Sequence, residues 1–294
     1  MVQTSPDARF GAREAAPRQS HRVSRTRRVR GTLGRARDAV TTMRRYGREG
    51  NRAGLMNGVR TLCALGAEVA RTHALREGDR ICPICLWHGP RFGPEYCYDA
   101  YREDVRCYAC GSAQRCRLFK LFVENHLTDF FSAGRRRVLD IGPELYSRSF
   151  FPTDVEYASF DLYAEIASVR GDLARMPFAD ASCDFWICSH VLDVVPDDGA
   201  AMGELLRVLH PNGIGLLDNA MSGNAETRDY GTPQLGEYGR LRRYGRDVVD
   251  RLLGAGFEVE AVEPTSLFDP ESRLRYGLMD TPFLLCRHPS PKPS

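Results

Sequence analysis

No stretch of this chain approaches 18 consecutive apolar residues, so no segment reads as a membrane-spanning helix. The first thirty residues lack the continuous apolar core of a secretion signal, which points to a cytosolic protein with no membrane partner. Lysine is absent from residues 1–50, yet thirteen arginines stand there against two Asp and two Glu. The whole chain carries only +3, so the remainder is left at −6, a mildly acidic body behind a basic arm. Large apolar residues are scarce through about Arg30, and residues 1–33 therefore read as a disordered arm rather than a packed domain. Such an arm suits nucleic-acid contact through mobile guanidinium groups, and it equally suits a solvated, dispensable extension. Disorder of the whole chain is excluded, because 43% of the 294 residues are hydrophobic, enough for one sizeable core plus a small module.

Among the ten cysteines, Cys82 with Cys85 and Cys107 with Cys110 form two CxxC turns separated by 21 residues. Each turn can aim two thiolates at one ion, and the intervening chain is long enough to complete a tetrahedron. Residues 77–116 thus read as a zinc-ribbon-like module with Trp87, Phe92, Tyr96 and Tyr101 as its apolar cover. Four thiolates close the coordination shell, so Zn(2+) here is structural and supplies folding free energy to a core too small to order itself. His88 is an alternative ligand in another register, as is Cys97 or Cys116, while Cys63 takes no role. The aromatic and Arg-bearing loop can also stack on unpaired bases. Cys183, Cys188 and Cys286 fall in apolar runs and read as buried thiols. Ahead of the module, residues 34–76 read as a helical lead-in with Leu55, Val59, Leu62, Leu65 and Val69 at helical spacing. Behind it, residues 117–136 read as a connecting helix packed on a sheet.

From Arg137 onward, strand-like and helix-like segments alternate: VLDIG, VEYASFDL, CDFWICS, AAMGELLRVL, GIGLLD, RDVVDRLLGAGFEVEAV and PFLLCR. That order predicts an α/β fold with a mostly parallel, Rossmann-like sheet, seven-stranded if the last strand inserts antiparallel. A nucleotide-like ligand belongs above the carboxyl ends of the strands. Gly142 allows close backbone approach, Asp161 offers an acceptor to ribose hydroxyls, and Asp172 with Leu173 stands where an adenine edge can be held. The same residues also admit plainer roles, as a turn glycine, a solvated strand end and a helix cap.

Across Arg137 to Arg287 the chain resembles the class I methyltransferases dependent on S-adenosylmethionine, especially bacterial members of the type 11 group. The likeness is strongest in VLDIG, FDL, GDLARMPFADASCDFWICSHVLDVVPDD, ELLRVLHPNG and YGRDVVDRLLGAGFEV. The resemblance implies a domain over 137–288, with a flexible tail at 289–294. It also implies S-adenosyl-L-methionine as cofactor, with Asp140 and Gly142 beside its methionine part and Asp161 on the ribose. Asp172 and Leu173 would flank the adenine, and Ser189 and His190 would line the crevice. Two features depart from the family pattern. The first loop reads DIGPELYS, with Glu144 where a second glycine often stands, and VLDVV places Val194 where a histidine often stands. A diphosphate would meet Glu144 awkwardly, whereas a sulfonium suits acidic surroundings.

Methyl transfer needs alignment more than covalent help, so a base is optional. His190 is the catalytic candidate by type, with packing or hydrogen bonding as its alternative. Arg240 stands at another position where the family often has histidine, so a base role is not carried over there. Tyr230, Glu237, Tyr238, Arg240, Arg242 and Tyr244 mix rings with charge and read as a wall for a small polar acceptor. No DPPY or NPPY run and no second cysteine of an RNA cytosine site is present, which counts against an RNA partner. The resulting expectation is methyl transfer to O or N of a small polar metabolite, with no oligomeric state implied. Its rivals are RNA methylation, a noncatalytic ligand-binding or scaffold role, and cyclisation of the aminobutyrate part of the cofactor.

Overall fold

The computed structural model describes Val40, Met56, Val59 and Cys63, and residues 78–96, 101–163, 167–218, 224–234 and 239–289. The expected arm at 1–33, most of the lead-in at 34–76, Cys97, Glu237 and Tyr238 lie outside the described residues. The described chain divides into two compact units. One comprises 78–126 together with Leu267–Met279, and the other Leu127–Ser266 with 280–289.

The first unit carries two short antiparallel pairs, β1 (Arg80–Ile81) with β2 (His88–Gly89) and β3 (Gly93–Tyr96) with β4 (Tyr101–Arg106). A helix over Gln114–His126 and a shorter one over Pro270–Tyr276 complete it. Its core is small: Trp87 packs on Phe92 and Tyr108 at ring separations of 5.6 and 5.7 Å, beside the buried Cys82, Cys85 and Cys107. Arg117 is wholly buried and donates to the carbonyls of Val105, Ser112, Tyr276 and Gly277 while its guanidinium lies 3.8 Å from the Phe92 ring centre. Gly277 ends helix 270–276 at φ +55°, and a side chain there would strike Phe92 and Arg117.

The second unit holds a seven-stranded sheet. Its strands are β5 (Arg137–Ile141), β6 (Glu156–Asp161), β7 (Val169–Arg170), β8 (Cys183–Ser189), β9 (Leu209–Asp218), β12 (Glu258–Val262) and β13 (Phe283–Arg287). The order is β12-β13-β9-β8-β5-β6-β7, with β13 antiparallel to both neighbours and the rest of the ladder parallel. The expected Rossmann-like, seven-stranded arrangement with an antiparallel last strand is present. β10 (Arg228–Gln234) and β11 (Arg240–Arg243) form a separate antiparallel hairpin.

Strand β8 lies at the centre and buries both faces, which is why CDFWICS reads as a continuous apolar run instead of alternating. Trp186 at its middle has no exposed surface and donates from Nε1 to the Leu205 carbonyl at 3.1 Å. The indole lies against Gly215 of β9, where a Cβ would come within 2.1 Å of it, so that strand position excludes any side chain. Helix 198–208 starts at Asp197, whose carboxylate accepts from Ala200 N–H at 2.8 Å, and turns Ala201, Met202, Leu205 and Val208 inward. At the amino ends of β5 and β8, Asp184 accepts from the Arg137 backbone N–H at 2.8 Å and from its guanidinium at 2.9 and 3.1 Å. That clamp registers the two strands between which the topology reverses, β6 and β7 lying on one side of β5 and β8 and β9 on the other.

Candidate functional site

In an open α/β sheet ligands bind outside the carboxyl ends of the strands at such a reversal, which here lies after β5 and β8. Gly142 follows β5 at φ +70°, and its N–H donates to the Phe160 carbonyl of β6 at 2.9 Å. An added Cβ would lie 2.5 Å from Val191 Cγ2, so both backbone and space require glycine. Asp140, on β5 itself, is buried and accepts from the Tyr157 hydroxyl at 2.5 Å. Burial pushes its carboxyl up to about 7; hydrogen bonds from Tyr157 and Ser147 oppose the rise, and the nearby Glu144 charge adds to it.

Asp161 closes β6, and its Oδ1 accepts from Tyr163 N–H at 2.7 Å. Asp172 caps the 3-10 turn Leu173–Arg175 by accepting from Ala174 N–H at 3.0 Å, which is the helix-cap role the sequence left open. Leu173 is buried in the sheet core. Three large apolar side chains that the sequence reading passed over, Leu145, Leu162 and Tyr163, are exposed on the loops just after β5 and β6. Their signal is apolar character in loops between strand-terminal acids.

Beyond the carboxyl ends of β8 and β9, five polar residues meet: Ser189 of β8, His190 just after it, Asp193 of the following 3-10 turn, Asp218 of β9 and Arg240 of β11. The buried Asp218 carboxylate accepts from Ser189 Oγ at 3.0 Å and lies 3.5 Å from His190 Nε2, and the His190 N–H donates to the Asp218 carbonyl at 2.7 Å. His190 holds φ +54°, a conformation unusual for a side-chain-bearing residue and found disproportionately at functional sites. Arg240 Nη2 stands 3.4 Å from His190 Nδ1 while its Nε donates to the buried Asp193 at 2.5 Å. The structure therefore brings Ser189, His190 and Arg240 together.

Two residues expected on the acceptor wall are instead enclosed. Arg242 is 3% exposed and donates to the carbonyls of Leu192, Val195 and Pro196, and Tyr244 is 1% exposed with its hydroxyl donating to Asp198 at 2.7 Å. Both are buried and neither presents a surface to an acceptor, although Arg242 Nε, 3.5 Å from the Asp198 and Asp229 carboxylates, makes no hydrogen bond. Tyr230 is half-buried on β10, with the Arg228 guanidinium 5.2 Å from its ring centre.

In the other unit, one ligand atom from each of Cys82, Cys85, Cys107 and Cys110 lies within 4.8 Å of the others. The two CxxC turns are built alike: Leu86 N–H donates to the Cys82 carbonyl and Gly111 N–H to the Cys107 carbonyl, both at 2.8 Å. The fourth residue after each first cysteine, Leu86 or Gly111, is left-handed at φ +57° and +76°. The Sγ atoms of Cys82 and Cys110 are 3.7 Å apart, and those of Cys85 and Cys107 3.6 Å. Metal–thiolate bonds of about 2.3 Å in a tetrahedron give edges of about 3.8 Å, so the cluster fits one thiophilic ion and is far too open for disulfides. Burial, with the neighbouring thiols, holds the Cys107 thiol well above its ordinary range. Cys116 lies on helix 114–126 outside this cluster, and His88 is exposed.

Residues 134–217 match the family model described as a methyltransferase domain of type 11. An uncharacterized methyltransferase of Mycobacterium sp. strain KMS is 33% identical over 97 residues, which is 29% of this chain and 38% of the relative. The chain thus spans well under half the length of the curated relative it matches. Among solved structures, the 1,6-didemethyltoxoflavin-N1-methyltransferase of Burkholderia thailandensis is 14% identical, covering 60% of this chain and 78% of its own at a TM-score of 0.44. A putative methyltransferase of Bacillus halodurans is 20% identical, covering 56% of this chain and 100% of its own at 0.37. The described residues include no helix long and apolar enough to cross a membrane. The chain carries a class I methyltransferase domain of the type 11 kind, and ahead of it in sequence a four-cysteine cluster able to chelate a metal.

Proposed function

We propose that the chain transfers a methyl group from S-adenosylmethionine to O or N of a small polar acceptor. The observation that carries the reading is the methyltransferase match over 134–217, which contains the β5–β8 reversal and Gly142. When bound, S-adenosylmethionine supplies an electrophilic methyl on a sulfonium. The chain's own residues bind and orient it: Gly142 admits close approach of the backbone, Asp140 and Ser189 border the methionine side, and Asp161 accepts from the ribose hydroxyls. Asp172 and Leu173 contribute as a capped turn on a buried base, with Leu162 and Tyr163 as an exposed apolar edge for the adenine face.

For the acceptor, Tyr230 and Arg240 remain the wall, joined by Glu237 and Tyr238 on the sequence argument alone. His190 is the residue to hold the acceptor's proton. With Nε2 turned to Asp218, Nδ1 is the atom that takes it, and Arg240 Nη2 stands 3.4 Å from it. Alignment supplies the remainder of the rate. The four cysteines hold zinc as a closed structural centre with no position for a reacting water.

Calorimetry tests the donor site. Replacing Asp161 with Ala removes one acceptor from an otherwise intact strand end, so donor affinity should fall about tenfold or more with the fold unchanged by circular dichroism. Equal affinity in both proteins would remove Asp161 from the site, and no binding to either would overturn the whole reading.

A further inference from the structure

We propose that Ser112 is the hydrogen-bond donor that holds the thiolate charge of Cys82 and Cys110, and so sets how tightly the four-cysteine centre keeps its ion. The inference rests on the metal reading above and assigns a positioning residue to it. The two cysteine turns repeat one another in backbone and differ in one side chain. Cys82 N–H donates to the Trp87 carbonyl at 2.9 Å, and Cys107 N–H donates to the Ser112 carbonyl at 3.0 Å. Trp87 and Ser112 thus hold equivalent places in the two turns. Trp87 uses its place as core, packed on Phe92 and Tyr108. Ser112 is as enclosed, with no exposed surface, yet it brings a hydroxyl.

A buried hydroxyl keeps its proton and must aim it at an acceptor. Ser112 Oγ lies 3.4 Å from Cys82 Sγ and 3.2 Å from Cys110 Sγ, and among the described residues it has no other partner. Once an ion is held, all four sulfurs are thiolates that can only accept. The hydroxyl therefore donates to the edge formed by Cys82 and Cys110, one sulfur from each turn. Its aim is fixed from behind. The Ser112 carbonyl takes Arg117 Nη1 at 2.6 Å as well as the Cys107 N–H, and Gly111 before it is left-handed at φ +76°. The opposite edge receives less: Ala109 N–H reaches Cys107 Sγ at 3.4 Å, and no N–H or O–H donor among the described residues reaches Cys85 Sγ.

Four thiolates around a divalent ion leave an anionic centre in a closed space, where each donor to sulfur lowers the cost of that charge. Cys110 is also the one cysteine of the four that is not fully enclosed, so the Ser112 hydroxyl serves the sulfur nearest to solvent. Loss of a hydrogen-bond partner from a ligating group typically lowers metal affinity by about tenfold to a hundredfold. Alanine at this place removes the donor and leaves the backbone of the turn as it is.

The test loads the reduced full chain with zinc and reads its affinity by competition with a chromophoric chelator, for wild type and Ser112→Ala. S112A should bind zinc about tenfold to a hundredfold more weakly. A packing role alone would also weaken binding, so loading with cobalt(II) supplies a second readout. With the donor gone, the thiolate-to-cobalt charge-transfer bands of S112A should move to longer wavelength. Unchanged affinity in well-folded S112A overturns the proposal, as does weaker binding with the bands unmoved. Should S112A fail to fold, wild type loaded with cadmium-113 decides the matter, since a Ser112 hydroxyl proton bonded to a thiolate shows scalar coupling to the metal in NMR spectra. A loaded wild type without that coupling overturns the proposal. A folded wild type that takes up no metal removes the metal reading itself.

Discussion

Asp140 occupies a strand interior where a carboxylate is out of place, and its neighbours do not include the cation that would ordinarily hold it ionised. Its pKa is carried from 3.8 to about 7 by burial, so the folded state keeps the proton through a window in which the unfolded chain has lost it. The resulting contribution is fully present below about pH 4 and is lost as pH rises through 7. Its size is on the order of 4 kcal/mol at most, from about 1.4 kcal/mol for each pKa unit. Asp140→Asn cannot ionise and should escape that loss. In denaturant unfolding, the stability of the variant relative to wild type should rise by a few kcal/mol between pH 4.5 and 8; a gap that stays constant refutes the assignment. At this scale the sequence was legible where a residue is the sole type a backbone position admits, as at Gly142. It was illegible for Arg242 and Tyr244, because charged and hydroxyl-bearing side chains are usually surface groups and nothing local reveals the buried carbonyls and the Asp198 carboxylate waiting for them.

The β10–β11 hairpin and the loop after β8 are joined by Arg242, whose guanidinium serves three carbonyls at 2.5 to 3.0 Å. Arg242→Leu leaves those acceptors unsatisfied in a closed space and should cost about 3 kcal/mol or more. Lysine should not restore it, since one ammonium cannot reproduce the planar fork. Thermal unfolding of both variants checks this, and a loss below about 1 kcal/mol would mean water reaches the carbonyls. The cysteine turns obey a different economy. Their unit has a core of a few rings and thiols, so an ion held by the four cysteines would supply much of its folding free energy. Chelation should therefore melt the cysteine-bearing unit first, seen as loss of amide protection in 78–96, in helix 114–126 and in 267–279, which shares Arg117 with them. Protection in β5, β8 and β9 should persist. Elemental analysis showing no stoichiometric metal in folded protein would remove the zinc assignment altogether.

Across the whole molecule, the sheet was readable because each central strand writes its own burial into its composition, as CDFWICS and RVLDI do. The partnership of 267–279 with the cysteine-bearing unit was not readable, because periodicity reports which face of a segment is apolar and not which of two cores receives it. The hairpin 228–243 was hidden for a related reason: its alternating charges and glycines match a surface loop as well as a strand pair. The basic arm is separate again. Residues 1–33 differ from the acidic remainder in composition, and chemistry confined to the crevice of the sheet needs none of their arginines. A chain lacking 1–33 should accordingly transfer label from methyl-labelled S-adenosylmethionine to a small-molecule fraction at a rate within about twofold of the full chain, since no crevice contact is altered. Incorporation into RNA alone, abolished with the arm, would select a nucleic-acid acceptor held by guanidinium–phosphate contacts, and its rate should then fall steeply with salt. Release of a cyclised aminobutyrate product with no methylated acceptor would keep the fold and the donor site but assign the crevice a different reaction at the same sulfonium.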